Sequence, residues 1–226
     1  MNEDLERLVT HVRSLWAQKE FPIVEEIDGC YNHMAATTAD AILQANLRYE
    51  THVAPRVEAI PKKYPEAKTT SAALQVLESV PATEFLNWRG QDRADRFVAL
   101  LKLFQANRIE TEDDLKRCFA EKPGVIEPQL LAQSGIGLKT VSYLKILVGL
   151  QTSAVDRHLF RFLEEAGLHY SNEIAAQSLI NAAADRLNIQ QALFDHSIWH
   201  YMKDKKAPAA TAPCTKSFWG KRKQQG

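Results

Sequence analysis

The sequence of 226 residues is poor in cysteine, with only Cys30, Cys118 and Cys214. An odd, scattered set of three forms neither a disulfide framework nor a paired metal-ligand motif, and points to reduced thiols in an intracellular setting. No apolar run approaches the roughly 18 residues a membrane-spanning helix needs, so no membrane partner is expected. The opening MNEDLERL is acidic and polar, which argues against a secretory leader. An excess of either charge is also lacking: 28 Lys and Arg balance 28 Asp and Glu. Net charge therefore gives no hint of a polyanionic partner. There is no internal repeat, and no alternating strand pattern competes well anywhere.

What is present is helical periodicity in a composition 45% apolar and 25% charged, ordinary for a globular chain. Leu5, Leu8, Val9, Val12, Leu15 and Trp16 recur at spacings of three and four, predicting an amphipathic helix after Asn2. Thr38 is placed to cap a helix through Ala41, Ile42 and Leu43. Pro55 divides it from a second piece ending near Pro61. Short helices are expected from Ser71 to Val80 and from Pro81, with Gly90 as a break. Arg93 to Ala106 is strongly periodic, and Thr111 with Asp114 makes a capping box before LKRCFAE. Further helices are expected over about Leu138–Leu150, over Asp156–Ala166, after a Ser171 cap, and in ALFDHSIWHYM. The fold class is all-α, about ten helices in two lobes.

Charge is unevenly placed. From Lys203 onward there are seven Lys or Arg and one acid, leaving 21 basic and 27 acidic residues in the body from totals of 28 and 28. A basic, flexible tail over 204–226 follows an acidic body. The tail suits a phosphate backbone or simple solvation.

The chemistry concentrates in SGIGLKTVSYLKILVGLQTSAVDRH, Ser134 to His158. Two helices joined by Gly135-Ile136-Gly137 bring backbone N–H groups to a helix start, where they and the helix dipole attract phosphate. Tight helical turns containing glycine also serve ordinary packing. Lys139 stands second in the next helix, and Asp156 is placed to cap the one after. A helix of about a dozen residues and a short return would set the two face to face. Burial would lower the lysine's pKa and the carboxylate would raise it. A carboxylate that takes the proton as substrate arrives leaves a neutral amine, which is a nucleophile.

QSGIGLKT together with AVDRHLFRF resembles the helix-hairpin-helix DNA glycosylase superfamily, in its endonuclease III-like branch. The match rests on Gly135, Gly137, Lys139, Thr140, Val155, Asp156 and His158, with weaker similarity at AILQANLR and FDHSIWHYM, and spans about 36–203. The resemblance implies a two-lobed helical glycosylase fold. A six-helix barrel lobe would cover 37–149 and contain the hairpin at about 127–150; 1–36 plus 150–203 would form the second lobe. It implies a monomer acting on double-stranded DNA that holds a damaged base, most readily an oxidised one, or an abasic site. The base would be flipped into a cleft, because its sugar carbon is unreachable in the stack. Lys139 would attack C1′ and Asp156 would assist, with β-elimination following from the Schiff base. A bacterial, nucleoid-associated cytoplasmic location, or another intracellular one, would follow.

The resemblance also implies DNA contacts from Gly135, Ile136, Gly137 and Thr140. Gln44 would fill the gap left by the flipped base, and Arg89 or Gln91 in NWRGQDR would wedge into the duplex, with Trp88 stacking on a base or packing as core. The backbone carbonyls of Leu131, Gln133 and Ile136 would hold a structural monovalent cation. Three departures stand out. Ser134 replaces the hairpin proline, the body is acidic, and the four-cysteine motif is missing, so no iron–sulfur cluster and no required cofactor are expected. His158, Trp199 and Tyr201 read as packing residues, and Arg157 as a possible phosphate contact. Two alternatives stay open: a monofunctional glycosylase for deaminated or alkylated bases, with Lys139 only touching phosphate, and a non-catalytic helix-hairpin-helix DNA-binding protein.

Overall fold

The computed structural model describes residues 2–26, 30–45, 47–203 and 205. Cys214 and, Lys205 apart, the basic tail lie outside the described residues. Twelve α-helices and one π-helical turn carry the described chain, and no strand occurs among those residues. The class is all-α.

One core gathers the first helix and the last three. α1 (Asn2–Ala17) turns Leu8, Val9 and Val12 fully inward. They meet Leu159, Phe162 and Leu163 of α10 (Arg157–Glu165), Leu179 and Ile180 of α11 (Glu173–Leu187), and Phe194 and Ile198 of α12 (Gln191–Met202). Phe21 closes this core, with its ring 5.6 Å from Phe162 and 6.1 Å from Phe194. Each such side chain contributes about 1.5–3 kcal/mol by leaving water.

A second body is built around α2 (Met34–Leu43), every residue of which is buried. Its alanines 35, 36, 39 and 41 let neighbours approach closely. α3 (Ala54–Lys63), α4 (Thr70–Val76), α6 (Gln91–Ala106) and α9 (Leu138–Leu147) all pack on it. α5 (Ala82–Phe85), α7 (Glu112–Glu121) and α8 (Pro123–Leu131) complete the body. Two apolar clusters fill it, one around Val57, Phe85 and Phe97, the other around Leu100, Phe104, Leu130 and Leu144.

Several helix starts differ from their sequence expectation. Thr38 is not a cap: α2 begins a turn earlier, capped by the His33 ring, and the Thr38 hydroxyl donates to the Met34 carbonyl at 2.7 Å. The alanines ahead of Thr38 extend the helix backward. α2 ends at Leu43 and the π-helical turn Tyr49–Val53 leads into α3, while Pro55 stands in the first turn of α3, where its missing N–H is not needed. Pro61 lies inside α3. Asn172, not Ser171, caps α11 by accepting the Ala175 N–H at 3.0 Å. The Thr111–Asp114 capping box is present in full.

A buried carboxylate ties α7 to the start of α2. Glu112 accepts the N–H groups of Asn32 at 3.0 Å and His33 at 3.3 Å, and the Thr37 hydroxyl. Glu112→Ala would leave the buried His33 N–H and Thr37 hydroxyl unpaired, which costs about 2–4 kcal/mol. The expected result is a lower urea midpoint with an unchanged slope. A loss under 0.5 kcal/mol would mean that α2 is anchored elsewhere.

Candidate active site

The hairpin joins α8 to α9. Gly135 sits in the left-handed region at φ +76°, and a Cβ there would run into the Arg96 guanidinium. Gly137 has an ordinary extended φ of −110° and opens onto free space, so it needs no glycine for conformation. Ile136 and Thr140 are 7% and 8% exposed, so contacts from these two positions would be made through the backbone. The Gln133 carbonyl accepts the Ile136 N–H at 3.1 Å, so a cation at this turn would use its second lone pair.

From α9 the chain returns through Thr152–Val155, all buried. Polar bonds fix this return: the Ser153 hydroxyl donates to Asn181 at 2.7 Å, the Gln177 amide to the Ser153 carbonyl, and the Ala154 N–H to Asp195 at 3.2 Å. Asp156 then starts α10. One of its oxygens accepts the His158 and Leu159 N–H groups at 2.7 and 3.3 Å. The other accepts from Lys139 Nζ at 3.3 Å. Structural capping and pairing with Lys139 coexist because a carboxylate has two oxygens. The pair is sheltered without being sealed, with side chains 32% and 15% exposed.

Lys139 and Asp156 line a cavity of about 750 Å³ between the two bodies. This lies within the range of small-ligand sites. Gln44 lines it too, and its amide nitrogen is buried without a hydrogen-bond partner. Arg89 and Gln91 do not. They border a separate depression with Arg56, Lys63 and Trp88, and Gln91 donates to Asp95 at 2.8 Å. Trp88 is half-buried, with the Arg56 and Arg93 guanidiniums over its ring at 5.3 and 4.7 Å, so it packs rather than offering a free face. Trp199 departs from its core expectation: with His196 and His200 it forms an aromatic wall of the main cavity.

Two acids escaped the sequence reading. Asp195 lines the cavity, where burial, aided by the nearby charge of Asp156, pushes its carboxyl up to about 7, against the Ala154 N–H and the charge of Lys139. Asp40 is fully buried behind Tyr31, Tyr49 and Tyr143, which all line the cavity. Burial raises Asp40 to about 6, opposed by hydrogen bonds from the three phenols. One signal for this cluster was available: Tyr143 stands four residues after Lys139, on the same helix face. The rim carries Glu26, Glu50 and Glu58, and Glu50 pairs with Lys203 at 2.6 Å across the two bodies.

Residues 89–203 match the model of a family described as a domain of unknown function, DUF8548. The chain belongs to that family. The matched segment is just over half of the chain. Within it fall Lys139, Tyr143, Asp156 and Asp195, while Tyr31, Asp40, Gln44 and Tyr49 lie before it. No curated protein and no solved structure matches the chain significantly. Among the described residues no group of three His, Cys, Asp or Glu is placed to hold a metal ion, and no helix is long and apolar enough to cross a membrane.

The raised Asp40 fixes a pH dependence. Between its ordinary value of 3.8 and about 6, the folded chain holds a proton that the unfolded chain has released. The resulting stabilisation is fully present below about pH 4 and is lost as pH rises through 6. The stability of the native protein relative to Asp40→Asn should therefore fall by on the order of 2–3 kcal/mol between pH 4 and pH 7. Urea titrations of both proteins across that range measure it; parallel curves would show that Asp40 titrates normally.

Proposed function

We propose that this chain is a base-excision repair DNA glycosylase with associated β-elimination lyase activity. The observation that carries it is the Lys139–Asp156 pair, 3.3 Å apart and opening into a cavity large enough for a flipped nucleotide. On this reading the second body is the six-helix barrel lobe, and a monomer takes double-stranded DNA across the cavity mouth. The left-handed turn at Gly135 and the unobstructed Gly137 support backbone contact with one strand. Backbone carbonyls of Leu131, Gln133 and Ile136 would hold a monovalent cation that steadies the turn.

Lys139 begins as an ammonium donating to Asp156. As the flipped nucleotide arrives, the proton passes to the carboxylate and the amine attacks C1′. The glycosidic C–N bond breaks and its electron pair leaves with the base, which takes up a proton. The sugar opens to a Schiff base on Lys139. Loss of a C2′ proton then expels the 3′ phosphate, nicking the strand. Holding nucleophile and proton acceptor in one geometry removes much of the entropic barrier. Gln44, at the edge of the cavity, would fill the space left in the duplex.

Borohydride trapping on duplexes with one damaged base or one abasic site tests this reading. Native protein should give a covalent complex, and Lys139→Gln should reduce it at least about a hundredfold. Trapping that survives Lys139→Gln would remove the proposed nucleophile. Base release with no trapped species would favour a monofunctional glycosylase, and DNA binding with neither would leave a binding protein.

A further inference from the structure

The Asp40 cluster has a hydrogen-bond polarity that the cavity inherits. An ionised carboxylate only accepts, whereas each phenol carries one proton and two lone pairs. Tyr31 donates to Asp40 at 2.7 Å and Tyr49 donates to the same oxygen at 3.1 Å. Tyr143 lies 3.3 Å from both carboxylate oxygens and donates between them. The Tyr31 and Tyr49 oxygens are themselves 3.3 Å apart, and either can donate to the other. In both arrangements the phenol protons are used inside the cluster. Burial and the charge of Asp40 hold all three phenols above their ordinary pKa, so they keep those protons at neutral pH.

Asp40 itself does not reach the cavity; the three tyrosines do. They come from three places, the segment before α2, the π-helical turn and α9, yet their hydroxyls converge on one carboxylate. With their protons held by Asp40, what these hydroxyls can offer a ligand is lone pairs. Gln44, the residue that caps the end of α2 one turn beyond Asp40, lines the same space, with its amide nitrogen buried and unpartnered.

We infer that Tyr31, Tyr49 and Tyr143, oriented by Asp40, form an acceptor wall that selects a base whose edge carries N–H donors, above all an exocyclic amine. This inference rests on the nucleotide-flipping reading of the cavity and names the substrate class for it. A base that turns only carbonyl oxygens or bare ring nitrogens to this wall meets lone pair against lone pair, and its acceptors lose their water without replacement. Such mismatches discriminate more strongly than a change in size. The tyrosines are specificity-determining residues here, and Asp40 is a positioning residue that acts through them.

Matched bases that differ by one amine test it. Full-length Lys139→Gln protein, which cannot turn over, is titrated by fluorescence anisotropy with duplexes holding adenine or purine, and cytosine or pyrimidin-2-one. Each base stands opposite an abasic analogue, so that pairing does not hold it in the stack. The amino-bearing member should bind about tenfold more tightly in each pair. Adding Tyr143→Phe or Tyr49→Phe should shrink the preference to about twofold or less. Asp40→Asn should shrink or invert it, because the new amide N–H₂ donates to a tyrosine and frees that phenol's proton for the cavity. Thermal melts confirm that each variant is folded before its preference is compared. Equal binding within the pairs would overturn the inference, as would a preference that survives the tyrosine and Asp40 substitutions. Borohydride trapping of native protein on abasic DNA involves no base and separates the two proposals. Trapping without an amine preference sinks the acceptor wall alone; an amine preference without trapping sinks the lyase chemistry and leaves the wall standing.

Discussion

The two oxygens of Asp156 hold the candidate site together. One closes the first turn of α10 and the other receives Lys139 from α9. Because the cap fixes the carboxylate to the backbone, the position of the Lys139 amine is set by helix geometry. The return segment that delivers Asp156 is pinned by bonds to α11 and α12, through Asn181, Gln177 and Asp195. The pair therefore inherits the rigidity of both bodies: Lys139 belongs to the one built on α2, and Asp156 to the one built on α1 and the last helices.

The cavity around this pair is unusual in its acids. Asp156 is satisfied by a cap and an ammonium. Asp195 has one backbone N–H and a like charge nearby, and burial pushes it up to about 7. Asp40 has three phenols and no cation, and sits near 6. Two carboxyls in the cleft and a third buried behind its tyrosines thus meet three different environments, which set chemically identical groups apart in pKa. The acidic rim does not favour a polyanion globally. On the proposed function, the grip on DNA would fall to local backbone donors at the hairpin and to basic side chains such as Arg157.

Much of the helical plan was readable because it depends on neighbours in the chain. Leu8, Val9 and Val12 declare a buried helix face by their spacing, Thr111 and Asp114 declare a helix start, and Asp156 reads as a cap from its place after SAV. Where local signals competed, the reading slipped. Thr38 and Ser171 are good caps by residue type, but His33 and Asn172 hold those positions. Tertiary contacts decided the first of these: Glu112, far along the chain, anchors the N–H groups of Asn32 and His33 and so sets where α2 begins.

The sequence by itself determined the all-α class, the glycine-bearing hairpin, and the lysine and aspartate carried on consecutive helices. All of these follow from periodicity, capping and turn chemistry within about twenty residues. Only the tertiary structure decided that Arg89 and Gln91 face a different depression from Lys139, that Trp199 walls the cavity, and that Asp40 gathers Tyr31, Tyr49 and Tyr143. The last of these contacts joins residues 103 apart in the chain. No local propensity encodes such a meeting; it comes from how the small-residue surface of α2 lets α9 and the π-helical turn close around one buried charge.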